Sequence, residues 1–126
     1  KGCTISCGGQ VNVDGIIPDD MRRGAGCSTN PEHTGYPWEG LQGFVVAGRV
    51  LERAGMPIWS AGDRAICRAA SALQDGRFGS SWRAESNDVW QLTFLDKACG
   101  TNWADSYSGA EKWKHGKNAG WPYVAL

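Results

Sequence analysis

The sequence has no apolar run approaching the ~20 residues needed to cross a bilayer, and its least polar stretch, 40–48, already contains Gln42. It has no net charge, since 13 Lys and Arg balance 13 Asp and Glu. That balance excludes a globally basic nucleic-acid binder and an acidic solvating tail, while leaving local patches open. Neither nucleic acid nor a membrane is expected as a partner. Nucleophile-elbow, phosphate-loop and zinc-protease motifs are all missing, and Gly24-Ala25-Gly26 is too short for a dinucleotide fingerprint. Only His33 and His115 accompany cysteines that lack C-x-x-C spacing, so neither a metal nor another cofactor is expected. No repeat, low-complexity tract or linker divides the chain, which reads as one domain, or a fragment of one, over 1–126. The start at Lys1, without initiator Met or apolar leader, suggests that any signal peptide has been removed or never existed.

What is present is globular in character, with 41% apolar and 21% charged residues, unlike a disordered chain. The 5 cysteines, Cys3, Cys7, Cys27, Cys67 and Cys99, predict one or two disulfides in a secreted or periplasmic protein. Their odd number leaves one thiol free, buried or bonded to another chain. Glycine, at 18 of 126 residues, is about twice its ~7% average usage, which predicts tight turns or close approaches. The 7 tryptophans are spread along the sequence. Most are expected as core anchors, and a few as platforms for the C–H face of a sugar.

Periodicity predicts a mainly α chain of antiparallel helical hairpins between irregular ends. Segment 1–36 reads as irregular. Pro37 suits a first helical turn, and Leu41, Phe44, Val45, Ala47, Val50 and Leu51 follow at helical spacing, with Val46 on the other side. A helix apolar on more than one side is packed by more than one neighbour. Gly40, Gly43 and Gly48 within it suggest that another backbone comes close. Gly55 and Pro57 end it. A weak capping box, Ser60-Ala61-Gly62-Asp63, opens a second helix carrying Ile66, Ala69, Ala70 and Leu73 up to Gly76. A third is expected over 88–98. The helical core is thus 37–99, followed by an aromatic and basic tail, 100–126, expected to be irregular.

Two clusters concentrate chemistry. The first is Asp19-Asp20-Met21-Arg22-Arg23 with Pro31-Glu32-His33-Thr34-Gly35-Tyr36-Pro37-Trp38; the second is Lys112-Trp113-Lys114-His115-Gly116-Lys117-Asn118-Ala119-Gly120-Trp121. Taken alone, Arg22 and Arg23 pair with Asp19 or Asp20, Tyr36 staples the helix start, and the lysines form a solvated loop. Trp38 and Trp121 divide between core and sugar-facing positions.

The run Asp14-Gly15-Ile16-Ile17-Pro18-Asp19-Asp20-Met21-Arg22-Arg23-Gly24 resembles the DG-x-hydrophobic-P-x-acidic-hydrophobic-x-RG stretch of the alginate lyase superfamily of polysaccharide lyases. In that family a Tyr then opens an inner helix, and Tyr36-Pro37-Trp38-Glu39-Gly40-Leu41 stands in the matching place. Residues 41–59, Asp88-Val89-Trp90-Gln91 and Gly116-Lys117-Asn118-Ala119-Gly120-Trp121 extend the resemblance over most of 11–121. It implies an (α/α) toroid and β-elimination on a uronic-acid polysaccharide such as alginate. Removing the C5 proton builds charge on the adjacent carboxylate, which a fixed cation stabilises, while a base takes that proton and an acid protonates the departing oxygen.

By position, Arg23 is the carboxylate-neutralising cation and Tyr36 the acid or acid/base. Arg22, Trp38, Lys117, Asn118 and Trp121 are the expected substrate contacts. The family's Asn-His pair lies upstream of this stretch and has no counterpart in 1–11, which makes His33 its candidate substitute. Three helices also cannot close a toroid, so a second chain or a homo-oligomer is expected beside the anionic polysaccharide. The alternative is a noncatalytic secreted carbohydrate-binding or assembly-forming protein on the same scaffold.

Overall fold

The computed structural model describes residues 4–6, 10–12, 14–23 and 33–112. Its core is built by three helices: α2 over Tyr36–Arg53, α3 over Ala61–Gln74 and α4 over Trp90–Cys99. The two minor helices are α1, Pro18–Arg22, and α5, Gly109–Lys112. The mainly α expectation holds, and α2, α3 and α4 touch one another pairwise.

The described parts of the N-terminal segment are more regular than the sequence suggests. Strands β1, Thr4–Ser6, and β2, Gln10–Asn12, pair antiparallel with Ile5 opposite Val11. Strands of three residues are too short to display period-two alternation, so the pattern gave no signal. The Asp14 N–H then donates to Asn12 Oδ1 at 2.9 Å, the side-chain turn that Asn favours. Gly15 follows at φ +73°, and a Cβ there would stand 2.8 Å from the Arg68 carbonyl oxygen. This glycine lets the N-terminal segment lie directly against α3.

Pro18 starts α1, with Asp19 and Asp20 in its first turn, both suited to a helix N-terminus. Met21 from α1 enters the core at 3% exposure, and α1 packs on α2. The glycines of α2 have different neighbours from those expected. Gly40 makes room for the Asp20 carboxylate and Gly48 for the Trp59 ring, while a Cβ at Gly43 would meet nothing within 4 Å. Side chains therefore replace the expected neighbouring backbone at Gly40 and Gly48. Helix α2 ends in a Schellman motif: Met56 N–H donates to Leu51 O at 3.0 Å and Gly55 N–H to Glu52 O at 2.9 Å, with Gly55 at φ +81°.

The expected capping box does not form at α3. Ser60 closes a 3-10 turn, Ile58–Ser60, and its hydroxyl donates to Pro57 O at 2.9 Å. Gly62, Asp63 and Arg64 are all left-handed, at φ 56°, 56° and 60°. Regular right-handed helix begins only after Arg64. Helix α4 starts two residues later than expected, behind a 3-10 turn at Ser86–Asp88. Beyond its left-handed cap at Gly100 the described part of the tail, 101–112, is not irregular; 113–126 lie outside the described residues. Asp96 accepts hydrogen bonds from Thr101 Oγ1, Trp103 N and Ala104 N at 2.6–2.8 Å, setting the 3-10 turn Trp103–Ser106.

Trp38, Trp82 and Trp90 are the largest fully buried side chains, surrounded by Leu41, Val45, Val89, Leu92 and Leu95. Trp38 Nε1 donates to Trp82 O at 2.8 Å, and Gln91 Nε2 donates to Trp38 O at 3.2 Å. Gln74 accepts from Ala84 N at 3.0 Å and donates to the Tyr107 hydroxyl at 3.2 Å, which in turn donates to Ala84 O at 2.7 Å. These bonds satisfy most of the buried polar groups that the tryptophan-rich core encloses. At the edge of this core, with Cys67 buried and Cys99 packed against it, the Cys67–Cys99 disulfide joins α3 to the end of α4. It supplies one of the expected bridges; Cys3, Cys7 and Cys27 lie outside the described residues.

Two stability predictions follow from this packing. Trp38→Ala should cost about 3–5 kcal/mol in urea unfolding, whereas Phe44→Ser, at a 55% exposed position, should stay within about 0.5 kcal/mol. The Cys67→Ala/Cys99→Ala double variant opens a link between residues 32 apart, and by loop entropy it should lose about 3–4 kcal/mol.

Candidate functional site

Helix geometry places Tyr36 outside because Trp38 is inside. Two residues along an α-helix turn the side chain by roughly 200°, so burying the Trp38 indole at 2% exposure sends Tyr36 outward, where it is 41% exposed. Arg23, at the C-cap of α1, meets it there. The Arg23 guanidinium carbon lies 4.8 Å from the centre of the Tyr36 ring, a cation–π contact. Asp20 steadies the same guanidinium at 3.7 Å, and α1 is itself held on α2 where Asp20 fits beside Gly40. The Arg23 side chain remains 60% exposed. Its five N–H donors are therefore not consumed by one carboxylate and one ring face. An open, cationic and phenolic surface results.

The other candidate residues are placed differently. His33 is exposed and sets its ring edge-on against Trp82, with centroids 5.4 Å apart. Thr34 Oγ1 donates to Asp20 O at 3.4 Å, which ties the segment before α2 to α1. Trp38 cannot be a substrate contact: its ring is sealed in the core and its N–H is spent on Trp82 O. That corrects the expectation of a sugar-facing role, for which neither spacing nor composition distinguishes an inward indole from an outward one. Lys117, Asn118 and Trp121, and the side chain of Arg22, lie outside the described residues.

A second feature had no counterpart in the sequence reading. An open groove of about 690 Å³ runs along α3, lined by Asp14, Asp63, Asp75, Arg64, Arg68 and Arg77, with Cys67 and Cys99 in its wall. Its cations are largely committed to backbone. Arg77 donates to the carbonyls of Asn12 and Asp14, Arg64 Nη2 to Cys99 O at 2.6 Å, and Arg68 Nη1 to the carbonyls of Gly62 and Asp63. Arg68 Nε lies 3.4 Å from Asp14 Oδ1, without hydrogen-bond alignment. The groove's three Arg and three Asp balance. We read it as a brace that binds the N-terminal segment and the left-handed turn to α3. The Gly62-Asp63 dipeptide was its one sequence signal, because Gly and Asp tolerate left-handed backbone better than most residues.

No protein-family model, no curated protein and no solved structure matches this chain. Among the described residues no group of three or more His, Cys, Asp or Glu could hold a metal ion, and no helix is long and apolar enough to cross a membrane.

The brace makes a prediction of its own. Gly15→Ala combines a left-handed φ with a collision against the Arg68 carbonyl, so it should destabilise by more than about 1 kcal/mol. The denaturation midpoint should fall with no change in slope. An unaltered midpoint would mean that the N-terminal segment does not rest on α3.

Proposed function

We propose that this chain is a polysaccharide lyase-like unit that acts on a uronic-acid polysaccharide such as alginate by β-elimination. The observation that carries the reading is the Arg23 guanidinium lying 4.8 Å from the ring centre of the exposed Tyr36. Both residues occupy the positions that the alginate-lyase-like stretch assigns to its carboxylate-neutralising cation and its catalytic Tyr. In the proposed reaction Arg23 pairs with the uronate carboxylate, which lowers the energy of the enolate-like state formed as the C5 proton leaves. The C4–O bond then breaks with formation of the C4–C5 double bond, and the departing oxygen takes a proton. Tyr36 serves as the acid, or as base and acid in turn, through its phenol. Asp20 positions Arg23. His33, three residues before Tyr36, is the remaining candidate acid/base.

The Tyr36–Arg23 surface is open, and three core helices are too few to close the toroid that the resemblance implies. A second chain or a second copy would supply the missing wall of the cleft. A disulfide between Cys67 and Cys99 accords with secretion or a periplasmic location.

A second reading, a noncatalytic carbohydrate-binding or assembly-forming protein, is favoured by a separate observation. Phe44, Val50 and Met56 are exposed at 55%, 51% and 53%, as a helical building block that buries itself against neighbours requires. Alginate and glucuronan separate the two. The lyase reading expects growing absorbance from unsaturated uronate, reduced at least about 100-fold by Tyr36→Phe and about 100- to 1000-fold by Arg23→Ala. Glycan binding or a multimeric sedimentation mass with no such absorbance supports the second reading and rejects the first.

A further inference from the structure

Beside the braced groove lies a smaller hollow of about 410 Å³, walled by Trp59, Ser60, Arg64, Lys97 and Gly100. It shares Arg64 and Cys99 with the groove, and the Arg64-to-Cys99 hydrogen bond at 2.6 Å stands between the two. The two spaces differ in charge. The groove balances its cations with three Asp, whereas the hollow is lined by Arg64 and Lys97 and by no acid. Lys97 is exposed and makes no ion pair among the described residues. Trp59 is half-buried, with the benzene edge of its ring over Gly48. Its Nε1 is buried without a hydrogen-bond acceptor.

An indole wall, a hydroxyl and two cations without a compensating acid suit a ligand with an apolar C–H face, hydroxyl groups and a carboxylate. We propose that this hollow binds one carboxylated sugar residue of the polysaccharide, with Trp59 as its apolar wall, Lys97 holding the carboxylate, and the Arg64 guanidinium, whose Nη2 stays on Cys99 O, adding positive charge beside it. This inference rests on the uronan reading and adds a binding position distinct from Arg23 and Tyr36. The left-handed turn Gly62–Arg64 has a role in it. Two non-glycine residues at φ 56° and 60° keep costly backbone, and that backbone sets Arg64 at the junction of groove and hollow.

The test is a titration of the isotope-labelled 126-residue chain with alginate trisaccharide, read at the Trp59 indole N–H and the Gly100 amide. It is paired with initial rates on alginate and run in parallel on Lys97→Ala, an exposed position whose loss leaves the core intact. The expected result is a saturable shift at both probes, with Kd raised about tenfold in Lys97→Ala and no response to a neutral gluco-oligosaccharide. Saturable, Lys97-dependent shifts without unsaturated product support the hollow and reject the lyase reading. Product formation with KM unchanged in Lys97→Ala and silent probes rejects the hollow and leaves the lyase reading standing. Equal shifts with the neutral sugar also overturn the proposal, because the cations would then play no part.

Discussion

The inward seating of Trp38 is the constraint on which the candidate site depends. Its ring fills the centre of the core, its N–H is satisfied by Trp82 O, and its own carbonyl is tied by Gln91 from α4. With that residue fixed, the rotation of α2 is fixed, and Tyr36 must emerge on the surface beside the end of α1. Asp20 adds the second restraint by contacting Arg23 from the α1 side and by packing against Gly40 on α2. A cation and a phenol 13 positions apart in sequence thus share a surface through core packing rather than through local sequence.

The two polar features along α3 show how charge balance separates structure from recognition. In the groove, guanidinium donors end on backbone carbonyls of the left-handed turn and of the Asn12–Asp14 segment. Such groups stabilise the fold and have little left for a ligand. In the neighbouring hollow, cations outnumber acids and an indole forms the wall, so the carboxylated ligand proposed there would gain both charge compensation and apolar contact. Arg64 belongs to both, bonded to Cys99 O next to the disulfide.

Helices α2, α3 and α4 were legible because apolar residues repeat at helical spacing between strong stops, such as Pro37 at one end and Gly55-Met56-Pro57 at the other. What escaped was whatever depends on tertiary partners. Gly40, Gly43 and Gly48 look alike in sequence, yet two accommodate side chains and one faces open space. Trp38 and Trp59 are both tryptophans near helix starts, yet one is core and the other walls a hollow. Arg23 and Tyr36 entered through their likeness to a lyase stretch; the residues alone suggested an ion pair, which the Arg23–Asp20 contact at 3.7 Å bears out. The left-handed turn at Gly62–Arg64 replaced a capping box because the Ser60 hydroxyl bonds backward to Pro57 rather than forward into the helix.

Intermolecular nuclear Overhauser contacts between the chain and a bound alginate oligosaccharide test the pairing of Tyr36 and Arg23 most directly. The prediction is contact between the Tyr36 ring protons and the sugar C5 proton, together with a shifted Arg23 side-chain resonance. A bound oligosaccharide that leaves both Tyr36 and Arg23 unperturbed would contradict it.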